Sequence, residues 1–187
     1  MPSHNDQMID KPTSWLIVLY DVPTEPTKLR VRIWREVKKI GALYPQMSLC
    51  ILPNNKENKE KIEDISKIIL DNGKFIKIST SEYDEKEHNK MLEMFRQERD
   101  KQYDEIYEEC EEFVEETDLN IKNKKFTQEE VEEMEEVLDG LNRWIEKVMS
   151  KDWIKTSPKI TNLKQSLKKC QESMDQFAEL SYTKNSS

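Results

Sequence analysis

The sequence has 187 residues and a formal net charge of −8, with 36% charged and 35% hydrophobic residues. That length allows one large domain or two small ones. The acidic total argues against a chain that holds nucleic acid through net charge alone. The charge is uneven, however. Trp15 to Ser81 carries 12 basic and 8 acidic residues, a net of +4, whereas Glu82 to Ser187 carries 17 basic and 28 acidic, a net of −11. The basic first half keeps a nucleic-acid partner open. Trp15, Trp34, Trp144 and Trp153 supply bulky core candidates, and only three glycines point to long uninterrupted helices.

The start, "MPSHNDQMIDKPTS", lacks the apolar core of a signal peptide, and residues 1–14 are expected to be a flexible segment. The longest apolar run, Trp15 to Tyr20, is too short to span a membrane. Cys50, Cys110 and Cys170 are odd in number and lack CxxC spacing, as expected for reduced cysteines in a cytoplasmic protein.

In chain order, "WLIVLYDV" has the length and continuous hydrophobicity of a central strand covered on both sides. Thr24 is the expected N-cap of a helix with Pro26 in its first turn. Leu29, Ile33, Val37 and Ile40 recur at helical spacing and define its buried face, and Gly41 suits the position after its end. "ALYPQM" and "SLCILP" predict two short strands, with Pro45 placing the first at a sheet edge. "KENKEKIEDISKIILDNG" predicts a second helix with Ile62, Ile65 and Ile69 inward, and "KFIKIS" a last strand. The β-α-β-β-α-β order over residues 15–81 is the ferredoxin-like arrangement.

After Ser81 the pattern becomes helical. Leu92, Phe95, Tyr103, Ile106, Cys110 and Phe113 mark a long helix from about Asp84 to Asp118, followed by a polar turn, "NIKNKKF". Thr127 and Glu130 form a capping-box pattern. Val131, Met134, Leu138, Leu141, Ile145 and Val148 then alternate by threes and fours. Ile160, Leu163, Leu167, Cys170, Met174 and Phe177 repeat the pattern after Pro158. Residues 82–182 are thus expected to form an antiparallel three-helix bundle, with a flexible tail at 183–187. The fold class is α+β: a ferredoxin-like βαββαβ domain followed by that bundle.

Lys28, Arg32, Arg35 and Lys39 form one stripe on the first helix, away from the Leu29 and Ile33 face, with Arg30 and Lys38 beside it. Three of the six arginines lie between Arg30 and Arg35. Such a stripe can track phosphates; it can equally be a solvated helix face. Arg96 and Arg99, three residues apart, have the spacing to hold an oxyanion, or to pair with nearby glutamates. Glu85-x-x-His88 has the spacing of di-metal carboxylate bundles, but the other histidine is His4, and a second such motif is absent. No metal site, cofactor or catalytic residue is therefore expected. Asp21, at the tip of the first strand, is the alternative metal ligand of a nuclease. It has no acidic companion in the strand region except Glu25, so strand termination or pairing with an arginine is favoured.

"WLIVLYDVP…RVRIWREVKKIGALYPQMSLCILP" resembles the N-terminal domain of the chromate-resistance regulator ChrB. "FRQERDKQYDEIYEECEEF", "KKFTQEEVEEMEEVLDGLNRWI" and "KKCQESMDQFAE" are similar to later segments of that family, so the resemblance runs from Trp15 to Tyr182. It implies a cytoplasmic, non-enzymatic regulator of chromate efflux genes, with promoter DNA as partner and chromate or a related oxyanion as effector. Many members continue into a C-terminal chromate-resistance domain, and this sequence ends at Ser187. The first 80 residues alone also resemble small ferredoxin-like CRISPR-associated endonucleases, in which the aspartate matching Asp21 holds metal, and the related domain of PaaX-type repressors. The alternatives to the regulator are that nuclease and a non-catalytic interaction module. A homodimer without membrane attachment is the expected assembly.

Overall fold

The computed structural model describes residues 14–25, 27–80, 82, 84–155 and 157–185. Residues 1–13 of the flexible head expected at 1–14, Pro26, the expected boundary at Ser81, and residues 186 and 187 lie outside them. The elements are β1 (Trp15–Asp21), α1 (Thr27–Lys39), β2 (Leu43–Gln46), β3 (Leu49–Pro53), α2 (Lys56–Leu70), β4 (Lys74–Ser79), α3 (Glu85–Lys122), α4 (Gln128–Met149) and α5 (Lys159–Asn185). The architecture is α+β, with a four-stranded antiparallel sheet in the order β2-β3-β1-β4. Two compact units divide the chain, one of residues 1–98 with 151–156, the other of residues 99–150 with 157–187. No helix among the described residues is long and apolar enough to cross a membrane.

In the first unit β1 is central, and its alternating side chains serve two faces. Leu16, Val18 and Tyr20 join Cys50 and Leu52 of β3 beneath Ile33 and Val37 of α1 and Ile62, Ile65 and Ile69 of α2. On the other face Trp15 and Ile51 pack with Leu92, Phe95 and Ile154. The expectation of a strand covered on both sides holds only at its start. Leu19 is exposed, as are its cross-strand neighbour Ile76 and, one pair along, Ile78. β2 is an edge strand, as Pro45 indicates.

Local signals account for most of the boundaries. α1 ends in a paired motif: the Gly41 N–H donates to the Lys38 carbonyl at 3.1 Å and the Ala42 N–H to the Val37 carbonyl at 3.4 Å. This requires a left-handed residue at Gly41, which has φ +78°. Its start differs from expectation. Thr24 lies in a bend and α1 begins at Thr27, because the residue before a proline, here Glu25, is steered away from helical backbone. Asn55 caps α2 by accepting from the Asn58 N–H at 2.8 Å. α3 runs four residues past the expected Asp118. It closes with the Lys125 N–H on the Asn120 carbonyl and the Lys124 N–H on that of Ile121. The left-handed position is Lys124, φ 56°, so the glycine that would announce the stop is missing. Half of the expected capping box forms. Thr127 Oγ1 accepts from the Glu130 N–H at 3.2 Å, but the Glu130 carboxylate turns to Lys125 at 3.7 Å and Asn120 at 3.4 Å.

The second unit has a single core drawn from all three helices. Tyr103, Ile106, Cys110 and Phe113 of α3 meet Met134, Leu138, Leu141, Ile145 and Val148 of α4 and Leu163, Cys170, Met174 and Phe177 of α5. The expected stripes of α4 and α5 supply this core, with Val131, Ile160 and Leu167 partly buried, as does that of α3 from Tyr103 onward; Leu92 and Phe95 belong instead to the core of the first unit. The described part of the tail expected to be flexible, 183–185, is helical. All three cysteines are buried and unbridged.

Trp15 is fully buried, stacked on Phe95 at 5.5 Å, and its indole N–H donates to His88 Nδ1 at 3.0 Å. This gives the histidine of Glu85-x-x-His88 a structural partner, and no group of three His, Cys, Asp or Glu side chains suited to a metal occurs among the described residues. His88→Ala would strand the buried indole N–H, and urea denaturation should show a loss of about 1–3 kcal/mol. Two glycines give a contrasting pair. A Cβ on Gly73 would lie 2.0 Å from the Asp21 carbonyl oxygen, whereas one on Gly140, inside α4, would meet nothing within 4 Å. Gly73→Ala should cost about 2 kcal/mol by forcing backbone apart, and Gly140→Ala should gain about 0.8 kcal/mol, both read from denaturation midpoints.

Candidate nucleic-acid interface

Burial of Ile33 and Val37 against the sheet sets the rotation of α1. At 100° per residue, that leaves Lys28, Arg32 and Arg35 on the solvent side. All three are exposed, and Arg30 is half-buried at one flank. With Val31, Glu36 and Lys39, the stripe lines a groove of about 480 Å³. Among the described residues, no acidic side chain pairs with Lys28, Arg30, Arg32 or Arg35. Several lysines of α2 and β4 behave differently. Lys61 holds Glu57 at 2.6 Å, Lys67 holds Asp64 at 2.8 Å, and Lys77 holds Glu63 at 2.7 Å.

The predicted stripe is not uniform. Lys39 is paired with Glu36 at 2.8 Å. Lys38 turns to Glu98 at 3.1 Å and stands 5.8 Å from the centre of the Tyr44 ring. The Lys39 pair is exposed and of the kind worth about 0–1 kcal/mol, so it exchanges readily for a phosphate.

Asp21 closes β1, exposed and in register with Lys74 of β4, while its carbonyl oxygen is covered by Gly73. Asp21 is among the residues that line a cleft of about 590 Å³ between the end of β1, α1 and β2. The Tyr20 and Tyr44 hydroxyls meet there at 3.1 Å. Burial, reinforced for Tyr44 by the Tyr20 hydroxyl, raises Tyr44 far above the ordinary phenol range, so its edge remains a neutral hydroxyl.

The two arginines expected to share an oxyanion have different surroundings. Arg96 grips Glu93 with two parallel bonds, Nε to Oε2 at 2.9 Å and Nη2 to Oε1 at 2.8 Å. The guanidinium, helped by Gln97, holds the Glu93 carboxyl below its usual range. An oxyanion at Arg96 would have to displace this carboxylate. Arg99 belongs to the second unit and is only 4% exposed.

Val31, Trp34 and Met47 are site residues that the sequence pattern does not single out. The size of Trp34 suggests a core position, yet it is 49% exposed, with Met47 at 79%. The available signal is helical phase: Trp34 follows Ile33 and so stands about 100° from the buried line. The position of Met47, in the turn between β2 and β3, has no comparable signal.

Among known proteins, no curated protein and no solved structure matches this chain. One family model does, that of "Protein ChrB, N-terminal", over residues 30–187. The match takes in α1 from Arg30 onward and all of the second unit; β1 and Asp21 precede it. By that extent the chain belongs to the family of ChrB N-terminal domains, which is associated with chromate resistance.

Proposed function

We propose that this protein is a non-catalytic, DNA-associated regulator of chromate efflux genes, and that α1 is its phosphate-tracking surface. One observation carries the reading. In a chain of net charge −8, Lys28, Arg30, Arg32 and Arg35 lie together with no acidic partner among the described residues. A cluster of cations left uncompensated in an acidic protein favours a polyanionic ligand. The first unit is read as a ferredoxin-like module and the three long helices as an antiparallel bundle, in agreement with the strand order β2-β3-β1-β4 and the shared core of α3, α4 and α5. A homodimer is part of the same proposal. Among the described residues the outer edge of β4 has no strand partner, and Ile76 and Ile78 on it are exposed. Promoter DNA is the proposed partner and chromate or a related oxyanion the proposed effector.

Replacing Arg32 and Arg35 together with alanine should weaken DNA binding across sequences. It should also flatten the plot of log affinity against log salt by about 0.9 for each phosphate that is no longer neutralised. Unchanged affinity and slope would remove α1 from the interface. The nuclease alternative is tested with Mg²⁺ and labelled DNA or RNA: cleavage by the parent that disappears in Asp21→Ala would overturn the non-catalytic reading.

A further inference from the structure

The aromatic cleft beside α1 adds something that phosphate tracking does not require. Three large apolar side chains, Val31, Trp34 and Met47, are exposed at its walls. Exposed apolar groups gathered around one concavity mark a binding surface more often than the same groups scattered singly. The floor is the Tyr20–Tyr44 hydroxyl pair, and Arg30 stands at the side. Lys38 is near the Tyr44 ring, so Trp34 offers the more open aromatic surface. The volume of about 590 Å³ falls in the ~300–1,000 Å³ range of clefts that hold small planar ligands.

The cleft and the basic groove adjoin one another. Thr27 and Val31 line both of them. A ligand that satisfies the two together needs an anionic backbone and, a short distance away, a planar apolar group with polar edges. That is a nucleotide. In an intact duplex the base faces are stacked on one another and cannot reach Trp34. We infer that this cleft receives an unpaired nucleobase, from a single strand or an opened position in a duplex, against Trp34 while the adjoining phosphates lie along Arg32 and Arg35. Gln46, also lining the cleft, carries an amide of the kind that reads base edges. The inference rests on the phosphate reading of α1 and names the form of nucleic acid that α1 and its cleft would hold.

The test uses the full chain with three labelled probes: a single strand of cytosines, a strand of equal length with abasic sugars, and a perfect duplex. The parent should bind the base-bearing strand about tenfold more tightly than the abasic one, the scale of one base stacked on an aromatic ring. Trp34→Ala should abolish that difference, while Trp34→Phe should keep most of it. Trp34 is half-exposed, so neither change threatens the core, and an unaltered thermal melt checks this. Equal binding of the base-bearing and abasic strands by the parent overturns the cleft assignment. So does an equal loss on all three probes in Trp34→Ala. In either case, if the Arg32, Arg35 double variant still loses duplex binding, the phosphate reading stands alone. Base discrimination that survives in that double variant with full duplex affinity would do the reverse. No binding of any probe by the parent would overturn both.

Discussion

The packing of Ile33 and Val37 against the sheet is the interaction on which the candidate site depends. An α-helix with two fully buried side chains four residues apart cannot rotate without exposing one of them. Each buried aliphatic side chain is worth about 1.5–3 kcal/mol, so the rotation is well determined. Everything proposed for the surface follows from it. Lys28, Arg32 and Arg35 face solvent because Ile33 and Val37 cannot. Trp34, one step from Ile33, is turned toward the cleft at the end of β1 rather than into the core. The motif at Gly41 then ends the helix and returns the chain to the sheet, with Ala42 and Val37 in the same core.

The electrostatic character of the first unit follows from a second choice, the distribution of acids. Elsewhere on the unit several lysines have carboxylates within reach, on α2 and across to β4. Along the outer face of α1 only Glu36 is available, and it is taken by Lys39. The remaining cations therefore project an uncompensated field from a protein whose total charge is negative. A total of −8 is a poor guide here, because screening confines each charge to roughly 8–10 Å at ordinary ionic strength. What a ligand senses is the local cluster.

Pairing also sets the surroundings of two other suggestive motifs. Arg96 with Arg99, and Glu85 with His88, look like ligand-binding spacings when written as letters. In the folded chain Arg96 is held by Glu93 with fork-to-carboxylate geometry, and Arg99 is almost wholly buried. His88 accepts the Trp15 indole proton and so belongs to the core of the first unit. A helix with many glutamates offers partners at three and four residues to any arginine on it, and this satisfies Arg96 locally. The histidine partner lies 73 residues away in sequence, which no local pattern announces.

Much of the secondary structure was legible because it depends on local chemistry. Hydrophobic period, the cap at Thr127 and the glycine at 41 mark their elements directly. The stop of α3 was not, because Lys124 adopts the left-handed turn that glycine usually signals. The basic stripe of α1 could be read from the sequence, since helical phase puts Lys28, Arg32 and Arg35 on one side. The sequence by itself therefore determined the elements, the helix faces and the cations available for an anion. Only the tertiary structure decided which cations keep no carboxylate, and that Trp34 and Met47, separated in sequence by a strand and a turn, border one cleft with Asp21. The physical reason is range. Periodicity and caps act over one or two helical turns, whereas ion pairing and cleft formation depend on which distant segments the sheet brings side by side.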